Sequence, residues 1–467
     1  MELLYNVHDR PSKGKTLIFA LQQLLAILAG TITLPLIVGN GMSQASALLG
    51  AGLGTLVYLA ITKFRSPIFL GSSFTYLAPM TMAFAGAAAL GGLETQNIGF
   101  LGILMGAILS GLVYVILSLI IRKTGIGWVE KAFPPIVIGP VVILIGLTLS
   151  PGAISNLFTA AAQGPDAGLA GKYVCLAVGL VTMLSIAAVA VHGKTLAKFI
   201  PFIIGILAGY LLASVFTIIG NIANVNALKV IDFSLFKNID WAPDFVFVHA
   251  FKGAKAISGT GNFWPYFGLI FGLYVPLSFA VFSEHIADHK NLSFIINHDL
   301  TKDPGLARTA MGDGLGSMVG AFFGGCPNTT YGESISCVAF SRNASTITIL
   351  VSAIISIVIS FFAPLMVLFE SIPSCIVGGL SIALYGYIAA SGLKMLQKVD
   401  LTEIKNIFIV SSIMVTGIGG MVLDFYYFQI TSIPTALVIG FIVNLVVNYS
   451  PKKKKENKEE IPENVEK

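Results

Sequence analysis

GGCPNTTYGESIS (324–336) interrupts what would otherwise be one continuous apolar stretch. Gly324, Gly325 and Pro327 break a helix there, and an acid, Glu333, follows at a position where hydrocarbon neighbours are expected. An ionised side chain at mid-bilayer costs roughly 2.5–3.5 kcal/mol on insertion scales, so such acids are rare and usually functional. A second segment, SPIFLGSSFTYLAP (66–79), is bounded in the same way by Pro67 and Pro79. A second acid, Glu284, closes the apolar run 263–283. Two acids beside broken membrane segments point to a polar substrate site with proton coupling.

The rest of the chain supplies the membrane. Of 467 residues, 55% are hydrophobic and 11% charged, against about 25% charged in soluble domains. Mean hydropathy is +0.85. Apolar runs of bilayer length recur throughout, so the chain reads as an all-α polytopic membrane protein. The first run, 16–39, is too long for a signal-peptide core and is expected to stay in the mature chain. The net charge of +5 reflects topology, not nucleic-acid binding. Cys175, Cys326, Cys337 and Cys375 lie in apolar segments without metal or disulfide spacing, and read as packing residues. Neither metal nor cofactor is expected. With no nucleophile–base pair and no phosphate loop, the chain does not read as an enzyme.

Spans are placed at 16–39, 44–62, 67–86, 97–121, 133–150, 173–192, 199–220, 263–284, 310–324, 326–342, 345–369, 372–393, 405–423 and 431–449. With a cytoplasmic amino terminus, all but five of the 28 Lys and Arg fall inside, the exceptions being Lys172, Lys229, Lys237, Lys252 and Lys255. Lys131, Lys198, Lys398 and the lysines of PKKKKENKEE (451–460) are among those inside. That bias supports an even span number with both termini cytoplasmic. Fourteen spans divide into two sevens, and an odd-numbered repeat enters the membrane in opposite orientation. The two broken segments are then the third span of each half. Interruptions at corresponding positions of inverted repeats mark a midplane binding site, where free amides serve a ligand.

Plainer readings compete. Thr330-x-x-Glu333 fits a capping box, which would leave Glu333 a helix cap. Glu284 could simply mark the cytoplasmic end of its span, with HIADHKN (285–291) beyond it. On that placement His285, His289 and His298 read as solvated surface. Gly50-x-Gly52-x-Gly54 and Gly312-x-Gly314-x-Gly316 read as small-residue helix packing, not phosphate loops. The lysine-rich tail reads as a solvated end near anionic lipid.

Five collinear stretches resemble the nucleobase/ascorbate transporter family, and its bacterial uracil permeases most closely. They are LQQLLAILAGTITLPL (21–36), FLGSSFTYLAP (69–79), SEHIADH (283–289), DLTKDPGLARTAMGDGLGSMVGAFFGGCPNTTYGESIS (299–336) and IPSCIVGGLSIALYGYIAASG (372–392). The last follows the family's P-x-x-V-x-G-G signature with Ile376 in place of valine and Cys375 at a variable small position.

The resemblance implies fourteen spans in two inverted repeats, with short strands in broken spans 3 and 10. It also implies a division of the chain. A cytoplasmic segment covers 1–15, the core domain 16–132 and 263–370, and the gate domain 133–220 and 371–449. An extracellular loop covers 221–262 and a cytoplasmic tail 450–467. The implied substrate site takes Glu284 from the E-H motif and Tyr331, Gly332 and Glu333 from N-T-T-Y-G-E. Phe74 comes from G-S-S-F, and Glu284, Asp288 and Glu333 carry the proton.

The implied function is proton-coupled uracil import across the cell membrane, with a homodimer allowed for. Uracil's two N–H groups suit carboxylate acceptors and its carbonyls suit backbone amides. Desolvation favours the protonated form of a carboxyl group in general, the basis for carrying a proton inward. Two positions depart from the uracil pattern. Asp288 stands where histidine is common, and an acid there resembles xanthine and urate members. Gln22-Gln23 stands where Gln-His is usual. A xanthine or other purine permease is therefore the near alternative, and an anion transporter of the sulfate-permease type the distant one.

Overall fold

The computed structural model describes residues 3–92, 94–129, 134–164, 167–194, 197, 200–237, 243–397, 399–425 and 428–448. Lys131, Lys198, Lys398 and the tail beyond 448 lie outside the described residues, so their cytoplasmic placement stays an expectation.

In chain order the helices begin with α1 (Lys13–Val38), α2 (Gln44–Ile61), the strand β1 (Leu70–Ser72), α3 (Leu77–Ala89) and α4 (Thr95–Thr124). Then come α5 (Pro135–Thr148), α6 (Ser150–Asn156), α7 (Gly168–His192), α8 (Pro201–Ala223), α9 (Val246–Ile257) and α10 (Phe263–Ile296). The central stretch is α11 (Leu306–Gly324), β2 (Asn328–Thr330), α12 (Gly332–Ser341), α13 (Thr346–Ser360) and α14 (Ala363–Glu370). The chain closes with α15 (Ser374–Leu396), α16 (Ile404–Ile418), a hairpin β3 (Leu423–Phe425) and β4 (Phe428–Ile430), and α17 (Ser432–Asn448). Among the described residues eight helical stretches are long and apolar enough to cross a membrane, or nine if α13 and α14 form one span. The chain is thus a multi-pass membrane protein; length and composition alone do not reach fourteen.

The two interrupted segments meet. β1 and β2 pair antiparallel, with Leu70 opposite Thr330, Gly71 opposite Thr329 and Ser72 opposite Asn328. Their ladder continues as Ser73 N–H donates to the Pro327 carbonyl at 2.9 Å. Each strand has three residues because Pro67 and Pro327 precede them and helical turns follow. Two such short strands leave backbone groups unpaired, and buried ones must find partners. Side chains supply them. Leu70 N–H donates to Thr55 Oγ1 at 3.0 Å and Phe69 N–H to Ser334 Oγ at 2.9 Å.

Around this crossing, α2, α4, α11 and α13 pack together, while α5, α7, α8 and α15 form a second group. The seam between α2 and α11 is built of glycine. A Cβ on Gly50 would lie 2.3 Å from the Gly320 carbonyl oxygen, and one on Gly316 would lie 2.8 Å from that of Gly54. That closeness lets Asn328 Nδ2 reach the Gly50 carbonyl at 3.0 Å. The glycine stripes therefore serve close helix approach, as expected. All four cysteines are buried.

Several expectations are corrected. Glu284 does not end its helix: α10 continues to Ile296, 34 residues in all. His285 and His289 are consequently fully buried and not solvated; only His298 keeps an exposed side chain, 45% accessible. The stretch 345–369 is not one straight helix, since α13 and α14 meet at 79°. The loop 221–262 contains the helix α9, laid against α4. The capping box does not form: Tyr331 is the N-cap of α12, without a side-chain cap bond.

The glycine seam gives a first test. Gly50→Ala should destabilise the purified protein by about 1–3 kcal/mol through overpacking, because a carbonyl cannot yield as a side chain does. Gly386→Ala, whose Cβ meets nothing within 4 Å, should leave the thermal unfolding midpoint unchanged. Equal midpoints for both variants would contradict the seam.

Candidate functional site

Glu284 lies inside α10 and Glu333 in the first turn of α12. Thr75, in the helical turn 74–76 that follows β1, donates its hydroxyl to Glu284 Oε2 at 3.4 Å. Asp288, one helical turn beyond Glu284, accepts from Thr330 Oγ1 at 2.8 Å. Glu284 and Asp288, four residues apart, share one face of α10. The side chains of Glu284, Asp288 and Glu333 are partly exposed within the fold.

Gly332 opens α12, and a Cβ built on it meets no atom within 4 Å. Its backbone therefore borders open space beside Glu333. The first N–H groups of a helix have no partner inside it and carry positive partial charge. Phe74 is half-buried and starts the turn that delivers Thr75 to Glu284. Tyr331 behaves differently: it is 5% exposed, and its ring fills the space a Cβ on Gly71 would take, 2.6 Å away. Its hydroxyl points at Gly30.

Sequence reasoning passed over a second polar array behind the first. Asp313, on α11, is 1% exposed. Its Oδ2 accepts from His285 Nδ1 at 2.7 Å and from Thr329 Oγ1 at 3.5 Å. His289 donates from Nδ1 to the His285 carbonyl at 2.9 Å, which leaves Nε2 to accept from the Tyr58 hydroxyl at 2.8 Å. Tyr58 in turn lies 2.7 Å from Ser66 Oγ. Strand β2 is thus held at two adjacent hydroxyls, Thr329 by Asp313 and Thr330 by Asp288. Gln23, at the position of the Gln-Gln departure, bonds to Ser334 Oγ in the first turn of α12. The sequence held a signal for Asp313: it sits within the apolar span 310–324, and the criterion that picked Glu284 applies equally to it.

The chain is similar to known proteins in sequence and in fold. A model described as Permease family, that of the xanthine/uracil permeases, matches residues 14–425. A uracil permease of Bacillus caldolyticus is 37% identical over 453 residues, covering 96% of this chain and 95% of the relative. One from Bacillus subtilis is 35% identical, covering 94% of each. Uracil permease of Escherichia coli K12 is 30% identical, over 94% of this chain and 93% of the relative. Among solved structures, the transmembrane domain of the cyanobacterial bicarbonate transporter BicA superposes with TM-score 0.57 at 14% identity, covering 94% of this chain and 99% of that one. The inward-facing murine anion transporter Slc26a9 gives 0.60 at 11% identity, covering 94% of this chain and 69% of that one. These last two show a shared fold.

The hold of Asp313 on His285 and Thr329 makes a second prediction. Asp313→Ala strips a buried histidine and a strand hydroxyl of their acceptor, which should cost about 3 kcal/mol or more. Asp313→Asn keeps an acceptor oxygen and should cost less. Thermal unfolding of the two purified variants checks the order; equal losses would mean that His285 and Thr329 do not depend on this carboxylate.

Proposed function

The chain belongs to the xanthine/uracil permease family, and from that premise we propose that it imports uracil together with protons across the cell membrane. The observation that carries the reading is the pairing of Gly332 with the acids. A bare amide at a helix start borders open space, with Glu333 beside it, and Thr75 of the turn after β1 bonds to Glu284. Uracil offers two N–H donors and two carbonyl acceptors on a flat ring. Glu284 and Glu333 would accept from the N–H groups, and the amides of the first α12 turn would donate to a carbonyl. Phe74 would supply ring contact, and Tyr331 would shape the pocket from behind.

Transport follows by alternating access of the core domain against the gate domain, in fourteen spans of inverted repeats with both termini cytoplasmic. The packing of α2, α4, α11 and α13 apart from α5, α7, α8 and α15 supports that partition. In this scheme Glu284, Asp288 and Glu333 share the proton, and binding of the base shifts where it resides. Asp288 would act on coupling through Thr330, without touching the base.

One observation favours a second reading. Asp288 is an acid where uracil permeases commonly carry histidine, which leaves a xanthine or other purine permease in play. Uptake of labelled uracil, competed by unlabelled uracil, xanthine, guanine and sulfate, separates the readings. Uracil alone should compete strongly. Competition by xanthine at equal concentration would move the assignment to purines, and competition by sulfate alone would reject a base carrier.

Glu284→Gln should abolish uptake while the protein stays folded, since an amide cannot ionise and exchanges one acceptor for a donor. Glu333→Ala should weaken base binding by about 1.5–3 kcal/mol, roughly 10- to 150-fold. Gly332→Ala should weaken it less, by a methyl intruding on the ligand's space. Equilibrium binding to purified protein measures both, and unchanged affinity in the Glu333 variant would remove it from the site.

Proton coupling has its own test. Uptake should rise with an inward proton gradient, collapse with a protonophore and need no sodium. Asp288→Asn should lower the transport rate more than base affinity, and Asp288→His should remain active. Sodium-dependent uptake that survives the protonophore would reject the proton as coupling ion.

A further inference from the structure

Residues 3–9 run alongside 342–346 as an added strand. Tyr5 and Asn343 form a parallel bridge. The backbone N–H groups of Leu4 and Tyr5 donate to the Arg342 carbonyl at 2.8 and 3.3 Å, and Ala344 N–H donates to the Tyr5 carbonyl at 2.9 Å. Thr346 donates to the Val7 carbonyl from both its N–H and its hydroxyl, each at 3.1 Å. Ser345 Oγ donates to the Asp9 carbonyl at 2.6 Å. These bonds fasten the point where α12 ends and α13 begins. Arg342, with φ of 53°, turns the chain out of α12 in the left-handed conformation, and its carbonyl is taken by the arm. Helix carboxyl termini leave carbonyls without intrahelical partners, so the arm caps this one.

The arm also supplies side chains. Leu3 and Val7 pack against a buried cluster that includes Ile68, Leu70, Ile335 and Val338. Leu70 belongs to β1, and Ile335 and Val338 to α12. That cluster also takes in Leu292 and Ile296 of α10, so the arm packs on a core shared by β1, α10 and α12. Helix α12 has only ten residues. A short helix is held by what packs at its ends; one end presents Gly332 and Glu333, and the other is tied by the arm.

We propose that residues 3–9 are a strap that fixes α12, and that Leu3 and Val7 are positioning residues for base binding. The proposal rests on the reading that the first turn of α12 contacts the base. The strap's backbone partners lie where α12 ends and α13 begins, and α13 packs on α2. It makes no contact with substrate; it sets where Gly332 and Glu333 stand.

The test compares wild type with the full-length double variant Leu3→Ser/Val7→Ser, and with the conservative Val7→Ile. Two readouts are taken. Amide hydrogen exchange of segment 332–346 in purified protein reports the strap directly and needs no substrate. Uptake kinetics of labelled uracil report its consequence. The double variant should exchange about tenfold faster in that segment and show a KM raised about tenfold, with kcat within about twofold of wild type. Val7→Ile should match wild type in both. If the double variant does not fold, Val7→Ala gives the same comparison at smaller amplitude.

Unchanged exchange in 332–346 would overturn the strap. Faster exchange with an unchanged KM would overturn its positioning role and leave only a structural cap. A fall in kcat alone would do the same. Should wild type take up no base at all, the functional reading fails, while the exchange result still decides whether the arm holds α12.

Discussion

Everything in this fold answers to one constraint: a backbone that is neither helix nor full sheet, buried in a membrane protein, must have every amide and carbonyl satisfied. The pair β1–β2 meets part of that need with three residues on each side. The remainder falls to side chains on neighbouring helices. Thr55 and Ser334 cover the β1 side, Asn328 turns back to the Gly50 carbonyl, and Asp313 takes the Thr329 hydroxyl. Those contacts in turn demand that α2 and α11 approach within backbone contact, which only glycine permits. Glycine stripes, buried hydroxyls and a buried acid are consequences of the same requirement. They are structural costs of having free amides at the site.

The constraint also explains how so many polar groups survive in one region. Consecutive residues on a helix point about 100° apart. Glu284 and Asp288 therefore form one stripe of α10, and His285 and His289 a second. The first stripe meets Thr75 and Thr330. The second is closed off, with Asp313 and Tyr58 as partners. Buried polar groups are tolerable when fully bonded and costly otherwise. The closed stripe anchors α10 to α2 and α11, so that the open stripe keeps a fixed direction. Strand β2 joins the two, because Asp288 holds Thr330 and Asp313 holds its neighbour Thr329.

Much of the site was legible in the sequence, because the costliest features are local. Two proline- and glycine-bounded segments and two acids in apolar runs pointed to the residues that the fold draws together. What stayed hidden is tertiary. The polar string HIADHKN looks like a loop by hydropathy, which averages over all faces of a helix. Helix α10 passes through it because the partners of His285 and His289 lie far away in sequence. The 79° bend between α13 and α14 sits at Phe361 and Phe362; it did have a local signal, Pro364 in the first turn of α14, which the apolar run around it masked. The arm 3–9 has neither apolar periodicity nor length, and its role depends wholly on the segment it lies beside. Asp313 is a different case: its signal was present, masked by the glycines around it.

The shared fold with anion transporters fixes what the fold can and cannot decide. Function lives in sites grafted onto folds. In the proposed reading, the free amides at the start of α12 suit a carbonyl and the carboxyl groups suit N–H donors. An anion placed beside Glu284, Asp288 and Glu333 would meet repulsion from whichever of them is ionised. A neutral ring with N–H donors finds acceptors there in either protonation state, because a protonated carboxyl keeps its carbonyl oxygen. Exchanging the acids for neutral or cationic side chains would leave the strand pair and the glycine seam intact. On the proposed reading the strand pair and the helix start would serve a ligand of either charge, and the three acids would make the choice.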